Sequence, residues 1–146
     1  MDYMINPVKM GGLVKAVKGD NIKIHLHGRL GVITVKRDLI LSDEEIVPGH
    51  DLEFYFSYIQ VVDHEENYDT SSITVYHEVT PCLIGGTLTQ VNDTAVEVTI
   101  MDNLGTIAVP RRWVFTSVVL EEGQQVEFSF SCMTVKCKRD IPVEMI

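Results

Sequence analysis

Apolar and polar residues alternate with period two over most of the chain. Ile22, Ile24 and Leu26 interleave with Lys23, His25 and His27, which predicts a strand with one buried and one wet face. Residues 13–17 form a preceding strand that opens after Gly11-Gly12, and Gly19-Asp20-Asn21 is a turn. Gly28-Arg29-Leu30-Gly31 is a tight connection of the kind that needs positive φ. A third strand follows with Ile33 and Val35 facing inward. Ser42-Asp43-Glu44-Glu45 has the form of a capping box and predicts one helical turn. Pro48-Gly49 then leads into the longest strand, 51–62, with Leu52, Phe54 and Phe56 inward and Glu53, Tyr55 and Ser57 outward.

The same pattern returns 74 positions later without a gap. Gly11 and Gly12 match Gly85 and Gly86; Leu30-Gly31 matches Leu104-Gly105; Ile33 and Val35 match Ile107 and Val109. Phe54-x-Phe56-Ser57 matches Phe128-x-Phe130-Ser131. Glycines and core-type residues are what two copies of one fold must keep, because turns and packing are the fixed requirements. No segment is long enough for a helical crossover, which argues against a parallel sheet. The expected fold is all-β: two tandem small β-barrels, OB/S1- or SH3-like, from an internal duplication. Residues 1–62 are repeat 1, 63–72 an acidic linker and 73–146 repeat 2. Residues 3–8 and 73–79 would be leading strands. Sixty residues bury little core, so the barrels should pack on each other or the chain should dimerise.

Composition narrows the function classes. The 146 residues carry a net charge of −9, which argues against a generic binder of nucleic acid or anionic membrane. The acidity is uneven: 63–80 hold five acids and no Lys or Arg, whereas 1–62 hold seven cations against eight acids. No apolar run reaches the roughly 18–20 residues that cross a bilayer. The N-terminus lacks the layout of a signal peptide, so a cytoplasmic location is expected. Cys82, Cys132 and Cys137 are too few and too oddly counted for a disulfide framework.

No catalytic constellation is present: no G-x-S-x-G, no phosphate loop before a helix, no H-E-x-x-H and no paired CxxC. The chain is therefore expected to be no enzyme and to need no cofactor. Its candidate binding residues are the cations Lys23, Arg29, Lys36 and Arg37 in the first copy and Arg111 and Arg112 in the second. A structural alternative stands beside them: Arg37 and Arg111 occupy one repeat position and could pair with Glu53 and Glu127. Trp113, after the double Arg, reads as a core or barrel-end residue. His25-x-His27 sets two imidazoles on one strand face, a spacing able to chelate a metal, with His50, His64 or Asp63 as third ligand. Val32, Thr34, Thr106, Ala108 and Met101 make rather apolar outward faces that suit a protein interface.

The order of elements resembles the S1 and OB class of small barrels over residues 11–62 and 85–135. Gly28-Arg29-Leu30-Gly31, Val109-Pro110-Arg111-Arg112 and the Phe54-x-Phe56-Ser57-Tyr58 strand resemble a small family of uncharacterised clostridial β-barrel proteins with a G-R-L-G…V-P-R-R pattern. The first copy departs from that pattern at Lys36, and the second has Asp102-Asn103 in place of Gly-Arg. The S1/OB resemblance implies that RNA or single-stranded DNA would cross the second and third strands, where Lys23, Arg29, Lys36 and Arg37 lie. The reading is a non-enzymatic binding module engaging RNA or single-stranded DNA through repeat 1. The alternative is a protein-interaction or self-assembly scaffold, a homodimer included.

Overall fold

Alternation becomes strand wherever the chain is described. In the computed structural model, which describes residues 6–62, 81–116 and 118–138, the first half forms β1 (Val8–Lys18), β2 (Asn21–Leu26), β3 (Val32–Lys36), β4 (Ile40–Leu41), β5 (His50–Phe56) and β6 (Ile59–Val62). The second half forms β7 (Cys82–Val91), β8 (Ala95–Ile100), β9 (Gly105–Pro110), β10 (Val114–Phe115), β11 (Gln125–Phe130) and β12 (Met133–Lys138). No α-helix occurs among the described residues, so the fold is all-β. The linker 63–72 and the expected strand 73–79 lie outside the described residues, as do residues 3–5 of the other leading strand.

Each half is an antiparallel meander, β1–β2–β3 or β7–β8–β9, with β5 or β11 on the free side of its first strand. The two halves share one sheet. β3 pairs antiparallel with β9 so that Ile33 faces Ile107, its own counterpart 74 residues on. β5 meets β11 where Phe56 faces Phe130, again its own counterpart. An approximate two-fold axis therefore passes through both meeting points, and the strands close into a ring. The last strands are exchanged: β6 pairs with β11 and β10 of the second half, and β12 with β5 and β4 of the first.

The inward residues are those the period predicts. Phe54, Phe56, Phe128 and Phe130 are buried, with Ile22, Ile24, Ile33 and Ile107 around them. Their contacts repeat across the axis: Phe54 meets Phe130 edge-on at 5.9 Å, and Phe56 meets Phe128 edge-on at 5.8 Å. Trp113 is also interior, stacked on Phe56 at 6.1 Å with its indole N–H donating to the Ser57 carbonyl at 2.9 Å.

Four local expectations change. Gly11 and Gly12 lie inside β1 and do not open it. A Cβ on Gly12 would come within 2.5 Å of Ile24 Cγ2, so the glycine serves close strand approach. Ser42 makes no helix; its Oγ accepts the Glu44 N–H at 3.1 Å in a local turn. The long strand breaks at Ser57-Tyr58. Ser57 itself is buried, not outward.

The break explains the repeated serine. Where β5 and β11 diverge, Ser57 Oγ accepts the Ser129 N–H and Ser131 Oγ accepts the Tyr55 N–H, both at 2.8 Å. Each hydroxyl donates in turn to the next carbonyl, of Tyr58 or Cys132. A Ser57→Ala change leaves a buried amide without its acceptor, a loss of about 1–3 kcal/mol. Ser131→Ala should cost a similar amount. Urea unfolding of both variants measures it; a change under about 0.5 kcal/mol in each would mean that the hydroxyls only fill space.

Candidate functional site

The outer face of β1–β2–β3 is built by register. The two-residue turn Gly19-Asp20 sets Lys18 opposite Asn21, and Asn21 lies opposite Lys36. One row along, Ala16, Lys23 and Thr34 are cross-strand neighbours. Side chains at i and i+2 share a face, so both rows look outward together. They line a shallow groove of about 240 Å3 with Ala16, Lys18, Asn21, Lys23 and Thr34 on its walls. Lys36 Nζ reaches across to donate to Asn21 Oδ1 at 3.2 Å. The face continues into the second half, where Thr34 meets Thr106 and Val32 meets Ala108.

Of the six cations read as ligand-binding, Lys23 and Lys36 come together here. Lys18 joins them although the sequence reading ended the first strand one residue short of it. The signal was the length of the turn, since a two-residue hairpin pairs the residues flanking it. Arg37 is used elsewhere: its guanidinium donates to the carbonyls of Ile40, Ser42 and Glu44 at 2.6, 2.7 and 3.0 Å. Arg111 donates to the Asn92 carbonyl at 2.9 Å. Both arginines hold loops, and the pairing with Glu53 and Glu127 is replaced. Glu53 binds Lys9 at 2.8 Å, and Glu127 accepts from Gln60. Arg112 is exposed in the turn after β9. Arg29 ends the turn after β2, and its side chain is outside the described set. The positions matching Lys18, Lys23 and Lys36 in the second half are Asn92, Glu97 and Pro110, so the cationic face exists once.

The histidines part company. His27 Nε2 lies 2.6 Å from the buried carboxylate of Asp51. His25 stays on the outer face, opposite Leu13 and Val32. Burial, then Lys15 and Lys23, push its pKa below the ordinary imidazole value. Among the described residues no three His, Cys, Asp or Glu side chains gather to hold a metal. The Lys23→Glu variant should move the His25 titration part of the way back up, read by NMR of the ring protons. A titration unchanged by the substitution would mean that Lys23 does not act on this face.

No aromatic side chain lies in the rows around the groove. Tyr58 instead lies tilted against Trp113 at 4.1 Å and stacks on Phe115 at 4.6 Å. Tyr55 lines a different cleft beside Lys9 and Glu53. The face thus offers ammonium groups, a hydroxyl and an amide, suited to anionic oxygens, and lacks a platform for stacking bases. Among the described residues no helix is long and apolar enough to cross a membrane.

No protein-family model matches the chain. No curated protein matches it either. Eight chains of solved structures do match. Among them is a crystal structure of the cytoplasmic molybdate-binding protein ModG with molybdate bound, 15% identical, covering 88% of this chain and 94% of that one, with a TM-score of 0.26.

Proposed function

We propose that the protein is a non-enzymatic binding module that engages the phosphate backbone of single-stranded RNA or DNA along the outer face of β1–β2–β3. The observation that supports this most is that Lys18 and Lys23 line one groove while Lys36 bonds to Asn21 on its wall. Three ammonium groups on neighbouring strands neutralise successive phosphates, and the missing aromatics make the contact indifferent to base identity.

Three neutralised phosphates on a single strand set a slope of log affinity against log salt of about −2. Fluorescence anisotropy with a labelled oligonucleotide across a salt series measures it. The Lys18→Glu, Lys23→Glu, Lys36→Glu triple variant should lose binding. Absence of affinity for single strands even at low salt overturns the reading. A chain that binds no oligonucleotide but forms a dimer in light scattering, broken by Val32→Glu, would establish the scaffold alternative.

A further inference from the structure

A second cavity, of about 480 Å3, opens where β12 of the second half runs beside β4 and β5 of the first. That is within the usual range for small-molecule sites. Its lining includes Glu44, His50 and Lys136 and the hydroxyls of Ser42 and Thr134. His50 is only 3% exposed. Its Nδ1 accepts the Val47 N–H at 3.1 Å, so in the neutral ring the proton sits on Nε2. Glu44 Oε2 stands 3.7 Å from that nitrogen, beyond direct hydrogen-bond reach. Lys136 Nζ is likewise 3.8 Å from Glu53 Oε2. The cavity wall therefore carries the His50 N–H and the largely exposed Lys136 ammonium and Glu44 carboxylate, none of them closed onto another at bonding distance.

The other half supplies an internal control. At the equivalent junction, where β6 runs beside β10, the positions of Glu44, His50 and Lys136 hold Val118, Gln124 and Val62. Gln124 there makes the same turn bond as His50, accepting the Glu121 N–H as His50 Nδ1 accepts the Val47 N–H, and its amide nitrogen also donates back to the Val119 carbonyl at 2.9 Å. The same backbone is thus built without any titratable group at these three places. Glu44 and Lys136 are largely exposed and cost little, and both halves use the residue at this position, His50 or Gln124, for the same turn. What sets the first half apart is a second imidazole nitrogen and one charge of each sign on the cavity lining.

We propose that this cavity is a binding site for a small zwitterion of the free α-amino acid class. Glu44 receives the ammonium; Lys136 and the Nε2–H of His50 receive the carboxylate. Walls of both signs match a ligand of both signs, whereas a simple acid or a simple amine leaves one wall unanswered.

The test titrates the full chain with glycine, leucine and glutamate, and separately with acetate and with methylammonium, while NMR follows the His50 ring. At least one amino acid should shift the ring resonances saturably, and neither half-ligand should do so at the same concentration. The His50→Gln, Lys136→Val double variant carries residues the other half already uses and should keep its urea midpoint while binding at least about tenfold more weakly, ~1.4 kcal/mol. Should it fail to fold, Glu44→Gln, on an exposed side chain, gives the same reading. Shifts with no amino acid, equal shifts with the half-ligands, or undiminished binding by the folded variant overturn the proposal. The triple lysine variant of the groove should bind amino acids normally, which separates the two sites.

Discussion

Phe56→Ala should lower the stability of the protein by about 3–5 kcal/mol, the range of large aromatic deletions in a packed core. Phe56 is fully buried and touches three other rings: it stacks on Trp113 and meets Phe128 and Phe130 edge-on. It also stands on the approximate two-fold axis, facing Phe130 at the point where β5 and β11 close the ring. Its loss therefore opens a cavity and weakens the closure together. Collapse of the surroundings is restricted, because the neighbouring rings are held by strands of both halves. The urea midpoint should fall sharply with little change in slope. Phe56→Ala combined with Phe130→Ala should depart from additivity, because the two rings are in contact. A loss below about 1 kcal/mol would mean that the aromatic cluster is not the centre of the core.

Gly31→Ala should cost at least about 3 kcal/mol, far more than its small added volume suggests. Gly31 has φ of 121°, and a Cβ there would overlap the Ala108 carbonyl oxygen on the neighbouring strand of the other half. Gly105 stands in the mirrored situation against the Thr34 carbonyl. The two glycines let the halves approach along β3 and β9, so a methyl group at either place forces the seam apart. Gly19→Ala is the natural control. Gly19 also has positive φ, 61°, but nothing lies within 4 Å of the place its Cβ would take. Only the left-handed strain remains there, about 1–2 kcal/mol. Thermal unfolding of the two variants side by side decides the matter. Equal losses would mean that backbone strain alone governs both positions and that the seam tolerates a methyl.

The parts of this fold legible in the sequence are those written in local periodicity. Ile22, Ile24 and Leu26, Ile33 and Val35, and the Phe54/Phe56 and Phe128/Phe130 pairs all face inward as alternation requires, because a strand has only two faces. Partnership between distant strands left no such trace. Nothing near Ile59 or Met133 says that β6 and β12 cross to the opposite half, since that choice is made by segments some seventy residues away. Serine was misread for a related reason. Ser57 looks outward by parity, yet the chain bends there and turns its hydroxyl to an amide of the other half. The cations divide along the same line. Lys23 and Lys36 are placed by the pleat and were readable. Arg37 is long enough to choose between solvent and three nearby carbonyls, and the path of the 40–44 loop made that choice. His50 stood in the sequence only as a spare third ligand for a metal. Its burial depends on β12, which arrives from the far end of the chain.

The exchange of β6 and β12 has a consequence for how the chain comes into being. Thr134 and Val135 sit opposite Glu53 and Leu52, so one flank of β5 has no neighbour until β12, some eighty residues later, has been made. A nascent first half emerges with its backbone amides and carbonyls bare along that flank, the kind of edge that recruits stray strands. Maturation of this protein is therefore a race between the ribosome delivering β12 and intermolecular capture of a waiting template.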